Sequence, residues 1–267
     1  MAATVTATLI ETTDPKPVRL VADGLPQGAR YVVAGVAQDG STWAVPGGDG
    51  VVDGPLTLID NRAALNTPVT YRVLIGEDVY ESEPVMVPYG NRHLIQSLDG
   101  RTIVDIESWR DNGMPMELVV RRATYDVPGR RRPPARHAPG GDGGGALEIR
   151  TSKAGSAALR QILDAGSPVV IRTDGTVRDW PAVEIVNLDA AGSVLFGAYD
   201  PTAPHGMSEG RVWTLPYTLA DDPEPGTAVT VWDWEDFGDF WAGQSWDAFD
   251  AFFTGSDWAT FDTTAWD

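Results

Sequence analysis

Over residues 1–88, apolar and polar positions alternate in short runs broken by glycine, proline and aspartate. This is the period-2 signature of half-buried strands. Seven strands are predicted: Thr4–Ile10, Pro17–Ala22, Ala29–Gln38, Ser41–Pro46, Gly54–Asp60, Val69–Gly76 and Val79–Val87. Asp23-Gly24, Asp39-Gly40, Gly47-Gly48-Asp49-Gly50 and Gly76-Glu77-Asp78 supply the turns. Strands at this spacing predict a β-sandwich.

Residues 89–220 continue the β pattern as a second, barrel- or sandwich-like domain. Its predicted strands are His93–Leu98, Arg101–Trp109, Met116–Val127, Ala146–Thr151, Pro168–Thr173, Ala182–Asp189, Ser193–Asp200 and Arg211–Leu219. One helix is predicted near Ser156–Ala165, with Leu159, Ile162 and Leu163 on one face, Ser156 as N-cap and Gly166 as terminator. The stretch 128–145 is rich in Arg, Gly and Pro without an apolar face, and reads as a long flexible loop. Residues 221–231 read as a linker.

The pattern then changes character. Aligned on tryptophan, residues 232–267 repeat every 12 residues: Trp234, Phe237 and Trp241, then Trp246, Phe249 and Phe253, then Trp258, Phe261 and Trp266. In each unit an Asp or Ser (Asp233, Ser245, Asp257) precedes the first Trp and is a good N-cap. Acidic residues fill the first turns, aromatics fall on one helical face, and Gly243 and Gly255 stand where the first two helices should end. Helices this short are marginal alone, since isolated helices below roughly 12–15 residues hardly form in water. Each buried aromatic is worth roughly 1.5–3 kcal/mol. The segment is therefore expected to dock, on another protein or back on its own second domain. The whole chain reads as mainly β: an N-terminal β-sandwich (1–88), a β-rich assembly domain with one helix (89–220), a linker (221–231), and an extension of short aromatic helices (232–267).

Composition narrows the chemistry. The net charge of −18 opposes nonspecific binding to nucleic acid and to anionic membranes. No apolar run approaches the ~20 residues of a membrane span, and the N-terminus lacks the regions of a secretory signal. Without cysteine there is no disulfide, thiolate site or Cys nucleophile. His93, His137 and His205 stand far apart without metal-ligand spacing, and neither a G-x-S-x-G elbow nor a P-loop occurs. Carboxylates abound, yet many cluster in the linker and repeat, where capping and solvation explain them. No catalytic, cofactor or metal role is assigned, and no enzyme activity is expected. Arg121, Arg122, Arg130, Arg131, Arg132 and Arg136 form one basic cluster. Arg130, Arg131 and Arg132 are candidate partner-binding residues, able to pair with carboxylates such as those of a neighbouring copy's acidic repeat.

Two resemblances follow from these residues. Val69-Thr70-Tyr71-Arg72-Val73-Leu74-Ile75 with the hairpin to Val79-Tyr80-Glu81-Ser82 resembles a fibronectin type III domain, with Tyr71 in the place of the tyrosine corner. That family's early-strand Trp is missing, since the second strand reads Val18-Arg19-Leu20-Val21 and Trp43 comes later. The W-x-x-F repeat, together with Arg211-Val-Trp213-Thr-Leu215-Pro216-Tyr217 and the overall layout, resembles minor tail proteins of bacteriophages infecting high-GC Gram-positive hosts. Of the 20 basic residues only Lys16 and Lys153 are lysine, as GC-rich coding favours. The resemblance implies a structural, distal-tail-like protein at the virion tail tip, assembled in the host cytoplasm. Its partners would be other tail proteins and further copies of itself, held through Trp234, Phe237, Trp241, Trp246, Phe249, Phe253, Trp258, Phe261 and Trp266. The competing reading is a carbohydrate-binding accessory module that contacts host surface polysaccharide through exposed aromatics.

Overall fold

The computed structural model describes residues 3–11, 13–109, 116–117, 122–124, 135–137, 143–177, 180–189, 192–195, 210–223, 225–227, 241–242, 245–252 and 254. The chain is mainly β, and its contacts divide it into two compact units. The first comprises Met1–Arg101, Val170–Glu184 and Asp222–Asp267; the second comprises Thr102–Val169 and Ile185–Asp221.

The first unit begins with β1 (Thr4–Leu9), β2 (Val18–Asp23), β3 (Arg30–Ala37), β4 (Thr42–Val51), β5 (Leu56–Asp60), β6 (Pro68–Ile75), β7 (Asp78–Glu81), β8 (Val85–Met86) and β9 (His93–Ser97). The first eight form two antiparallel sheets, β1-β2-β5 and β4-β3-β6-β7, with β8 on β6, while β9 belongs to another sheet beside the strand Val169–Thr173. Alternation explains the split. Along β6, Val69, Tyr71, Val73 and Ile75 are buried while Arg72 and Leu74 are exposed. Leu20 and Leu58 of the first sheet line one small apolar space with Val33 and Val73 of the second. The core of this sandwich-like unit therefore lies between the sheets.

The expected turn at Gly47–Gly50 is instead the second half of a ten-residue β4. The register with β3 shifts between Val32 and Ala34, so residues 45–48 bulge opposite Val33. The glycines are required by close approach. A Cβ on Gly48 would meet the Val45 carbonyl at 2.7 Å, and one on Gly35 would strike the Trp43 ring at 2.3 Å. The strand expected over Val79–Val87 is broken into β7 and β8, where Ser82 turns inward: its Oγ accepts from Tyr71 N at 3.0 Å and donates to Glu83 O at 2.9 Å.

The second unit holds β10 (Ile103–Asp105), β11 (Ser108–Trp109), β12 (Met116–Glu117), β13 (Arg122–Thr124), β14 (Ala135–His137), β15 (Gly144–Thr151) and α1 (Lys153–Ala165). After β16 (Val169–Thr173), whose residues from Val170 belong to the first unit beside β9, come β17 (Val183–Leu188), β18 (Gly192–Leu195) and β19 (Arg211–Leu219). β19 is central, flanked by β15 and by Val186–Leu188 of β17, with β11 and β12 on β15. Within the stretch expected to be a loop, Ala135–His137 pairs with Arg122–Thr124, and Gly144 and Gly145 already belong to β15.

Helix α1 starts three residues earlier than expected. Its N-cap is Ser152, whose side chain accepts from Gly155 N at 3.0 Å. Ser156 is buried instead, and its Oγ lies 2.8 Å from Thr151 Oγ1. Gly166 terminates the helix in the left-handed region at φ 64°, as expected. Leu159 and Ile162 are the buried apolar face.

Candidate interaction surfaces

The aromatic extension contains one helix among the described residues, α2 (Trp246–Phe252). Ser245 caps it as the repeat predicts: Ala248 N donates to Ser245 Oγ at 3.3 Å, and Phe249 N to Ser245 O at 3.2 Å. Asp247 sits in the first turn, where the helix dipole favours a negative charge. Thr254 Oγ1 donates to the Asp250 carbonyl at 2.7 Å, satisfying an acceptor near the C-terminal end. Trp241 of the first repeat unit packs edge-on against Phe249 of the second, with centroids 5.1 Å apart at 64°. Such aromatic pairs add roughly 0.5–1.5 kcal/mol beyond area burial. Of the residues expected to bind partners, the structure thus brings Trp241 and Phe249 together. Trp246 opens α2. Trp234, Phe237, Phe253, Trp258, Phe261, Trp266, Arg130, Arg131 and Arg132 lie outside the described residues.

The stretch read as a linker is tied down at its start. Asp222 forms an ion pair with Arg62, and both side chains are almost wholly buried. Gly47 N donates to the Pro225 carbonyl at 3.0 Å, and a Cβ on Gly226 would lie 3.8 Å from Asp49 O. Pro225 and Gly226 therefore lie against the edge strand β4, within the first unit.

Beneath that edge lies a buried polar centre. Asp60, fully buried at the end of β5, accepts from Trp43 Nε1 and from Tyr71 Oη, each at 2.9 Å, through one carboxylate oxygen. The other oxygen accepts from Arg62 N at 2.8 Å. Because Trp43 and Tyr71 belong to the opposite sheet, Asp60 staples the two sheets together. The tyrosine-corner expectation places the Tyr71 bond on backbone; here the acceptor is a carboxylate. Burial, and then the Asp60 charge and hydrogen bond, raise the Tyr71 phenol well above its ordinary value, outweighing the opposing Arg172 charge.

Arg172 comes from far along the chain to complete the centre. Its Nε donates to Ala63 O at 2.7 Å, and its Nη1 to Asn61 O at 2.9 Å and to Gln96 Oε1 at 2.8 Å. Burial lowers its pKa to about 10 against the pull of Asp60, Tyr71 and Tyr89, so it is cationic at pH 7. Nearby in sequence, Asp174 accepts from Arg92 Nε at 2.5 Å and from Thr176 Oγ1 at 2.5 Å, with His93 Nε2 3.8 Å away. Burial depresses the His93 pKa despite the Asp174 charge, and Arg92 pushes it the same way. Among the described residues these groups are paired within the fold, with one buried nitrogen of Arg172, Nη2, left without a hydrogen bond. No group of three or more potential metal ligands occurs among the described residues. No helix among them is long and apolar enough to cross a membrane.

One surface feature escaped the sequence reading. The outward positions of β3, β6 and β7 carry Val32, Leu74 and Val79, exposed at 41, 37 and 51 %. They are in register, Val32 opposite Leu74 and Leu74 opposite Val79. A signal was present: Val32 and Leu74 break the polar-outward alternation of their strands. The large apolar side chains exposed among the described residues are all aliphatic, Val21, Val32, Val51, Leu74, Val79 and Met86, whereas sugar stacking needs an aromatic platform.

No protein-family model matches this chain, and no curated protein matches it significantly.

Proposed function

We propose that this chain is a structural virion protein, a minor tail protein at the tip of a bacteriophage tail. It would be assembled in the host cytoplasm and act by binding neighbouring tail subunits and further copies of itself. The observation that carries the reading is the 12-residue aromatic–acidic repeat. In its second unit, Ser245 caps a short helix and Phe249 pairs with Trp241 of the first. A seven-residue helix holds little by itself, and large aromatics on acidic short helices are anchors that gain their energy by entering a partner.

A fibronectin type III-like N-terminal domain fits the division of strands into β1-β2-β5 and β4-β3-β6-β7. The β-rich region over 89–220 would serve assembly, with Arg130, Arg131 and Arg132 as carboxylate-binding side chains. No catalytic step, cofactor, nucleic acid or membrane enters this function.

The test is co-purification during production of the source virion. The tagged full-length chain is compared with a version ending at Pro225, which keeps the Arg62–Asp222 pair and the Pro225 carbonyl. Recovery of virion proteins by the full-length chain alone is the expected result. Equal recovery by both forms removes the repeat from the binding role. Recovery of no virion protein by either form overturns the tail assignment, and binding of host polysaccharide would then carry the competing reading.

A further inference from the structure

The two sheets of the sandwich end in four strands, and three of these are guarded. β4 carries Pro46 and Asp49, and its Gly47 N donates to Pro225 O at 3.0 Å. β7 has only four residues, with Asp78 and Glu81 at its ends. β5 is buried from Leu58 to Asp60. β1 differs. Its six residues, Thr4-Val5-Thr6-Ala7-Thr8-Leu9, include no charge, no proline and no glycine, and they pair with β2 without a register shift. Among the described residues no strand bonds to the other side of β1, although β7 and β8 approach it from the opposite sheet. Folded proteins normally shorten, charge or cover such an edge, because its unpaired N–H and C=O groups template pairing with another strand.

The ladder fixes what this edge offers. Ile10 N donates to Pro17 O at 2.9 Å, continuing the β1–β2 register. Bonded pairs alternate along an antiparallel ladder. Thr4, Thr6 and Thr8 therefore turn their backbone groups to β2, and Val5, Ala7 and Leu9 turn theirs outward. Side chains alternate too. The threonines are exposed, whereas Val5, Ala7 and Leu9 face the opposite sheet and stay only half-buried. Val5 lines the small apolar space between the sheets with Leu20 and Val73.

We propose that this edge pairs antiparallel with the same edge of a second copy, about a two-fold axis through Ala7. The pairing names a surface for the self-contact in the function proposed above, and it rests on that reading for the expectation that copies meet. In this register Ala7 faces Ala7 and Val5 faces Leu9, so the outward backbone groups of all three residues gain their missing bonds. Thr6 faces Thr8 on the outer surface, a β-branched pair suited to a sheet. A two-fold contact sets a patch against itself, so a charged strand would oppose like charges. This strand is neutral throughout and opposes none. Half-buried Val5 and Leu9 come under cover as two three-stranded sheets join into one.

Sedimentation velocity on the full-length chain up to millimolar concentration tests this. The contact is smaller than the roughly 800 Å² per partner of a standard interface, so the wild-type dimer is expected to be weak. Copies of net charge −18 repel each other, so added salt should strengthen it. Ala7→Pro removes an outward N–H and leaves the β1–β2 bonds in place; association should fall at least tenfold. Thr6→Lys with Thr8→Lys should do the same, and so should Thr6→Glu with Thr8→Glu, because position 6 of one copy faces position 8 of the other. Mixed one to one, these last two variants should dimerise again. A mixture that stays monomeric, an association unmoved by every variant, or a wild type monomeric throughout overturns the proposal. Should circular dichroism show Ala7→Pro unfolded, the exposed threonine positions decide the outcome. The two readings fail separately. A monomeric wild type that still recovers virion proteins leaves the tail function standing and excludes only the edge pairing; loss of that recovery in Ala7→Pro would then assign the edge to a strand of another tail protein. A dimer that recovers no virion protein overturns the tail assignment and leaves the pairing intact.

Discussion

The two units each bury a tryptophan N–H against oxygen, but with different chemistry. In the first, Trp43 donates to a carboxylate, and the charge of Asp60 is set near the guanidinium of Arg172 in an almost water-free centre. In the second, Trp213 Nε1 donates to Thr151 Oγ1 at 3.0 Å, with Ser156 Oγ at 3.3 Å, all buried and all neutral. Arg160 lies over the Trp213 ring, 5.9 Å from its centroid. The neutral cluster is nearly local, joining the end of β15 to the first turn of α1 and one strand. The charged centre gathers residues 43, 60–63, 71, 96 and 172, and its bond from Arg172 to Asn61 O spans 111 residues against 62 for that from Trp213 to Thr151. A buried charge is expensive unless fully partnered. Its partners therefore become obligatory, which makes the charged centre the more specific device and the more fragile one.

Removing one partner from each centre sharpens this contrast. Arg172→Met should have the largest effect. It strands the Ala63 carbonyl and Gln96 Oε1, while Asn61 O keeps its bond from Gln96 Nε2, and leaves Asp60 without its nearby cation, for a loss of about 3–5 kcal/mol in chemical denaturation. Asp60→Asn keeps an acceptor but loses the charge that takes both the Trp43 and Tyr71 bonds, and should cost about 2–3 kcal/mol. The buried Tyr71 phenol should then titrate at lower pH, because one of the influences raising it is gone. In the neutral centre, Trp213→Phe should cost only about 1–2 kcal/mol, since Thr151 and Ser156 still bond each other. A Trp213→Phe loss as large as that of Arg172→Met would break the comparison.

Among the described residues, acidification gives a smaller effect at His93 and Asp174 of the first unit. His93 has a depressed pKa in the folded chain, so the unfolded chain binds its proton more readily. The contribution is fully present above the unfolded value of about 6.5 and is lost as pH falls from there through the folded value. Asp174 is also lowered. Burial alone would raise it, but the hydrogen bonds from Thr176 and Arg92 and the Arg92 charge prevail. Its contribution is lost further down, below about pH 4. Denaturation midpoints measured against pH should flatten in the upper window for His93→Gln and in the lower for Asp174→Asn. The smallest effect is expected at Ser245→Ala, which removes the cap of α2. About 0.5–2 kcal/mol of local helix stability is at stake, visible as reduced helical signal with the global transition unmoved.

Much was legible from local pattern. The strand Arg211–Leu219 is found with the bounds its alternation predicts. The Gly166 terminator and the Ser245 cap are where their residue types point, because both depend on backbone groups within one turn. The sandwich-like character followed from strand spacing alone. What failed locally failed for an identifiable reason. Gly47 to Gly50 looked like a turn, because glycine's usefulness in a bulge pressed against Val33 cannot be told from its usefulness in a turn. Ser156 looked like the cap, but in the fold its hydroxyl is buried against Thr151 and Trp213 and Ser152 takes the role.

The sequence by itself determined features that depend on neighbours within a few residues: strands such as Arg211–Leu219, the Gly166 terminator, the Ser245 cap, the acidic-aromatic period, and the absence of cysteine chemistry. Tertiary structure decided which distant groups share a low-dielectric interior. Arg172 reads as one residue of an ordinary strand, and Asp60 as a polar strand end. Only the folded chain brings the arginine against residues 61, 63 and 96, and the aspartate under Trp43 and Tyr71. Only the sheet register turns Val32, Leu74 and Val79 into one stripe. Burial and adjacency across strands belong to the packed chain, and no local pattern encodes which partner a residue will meet.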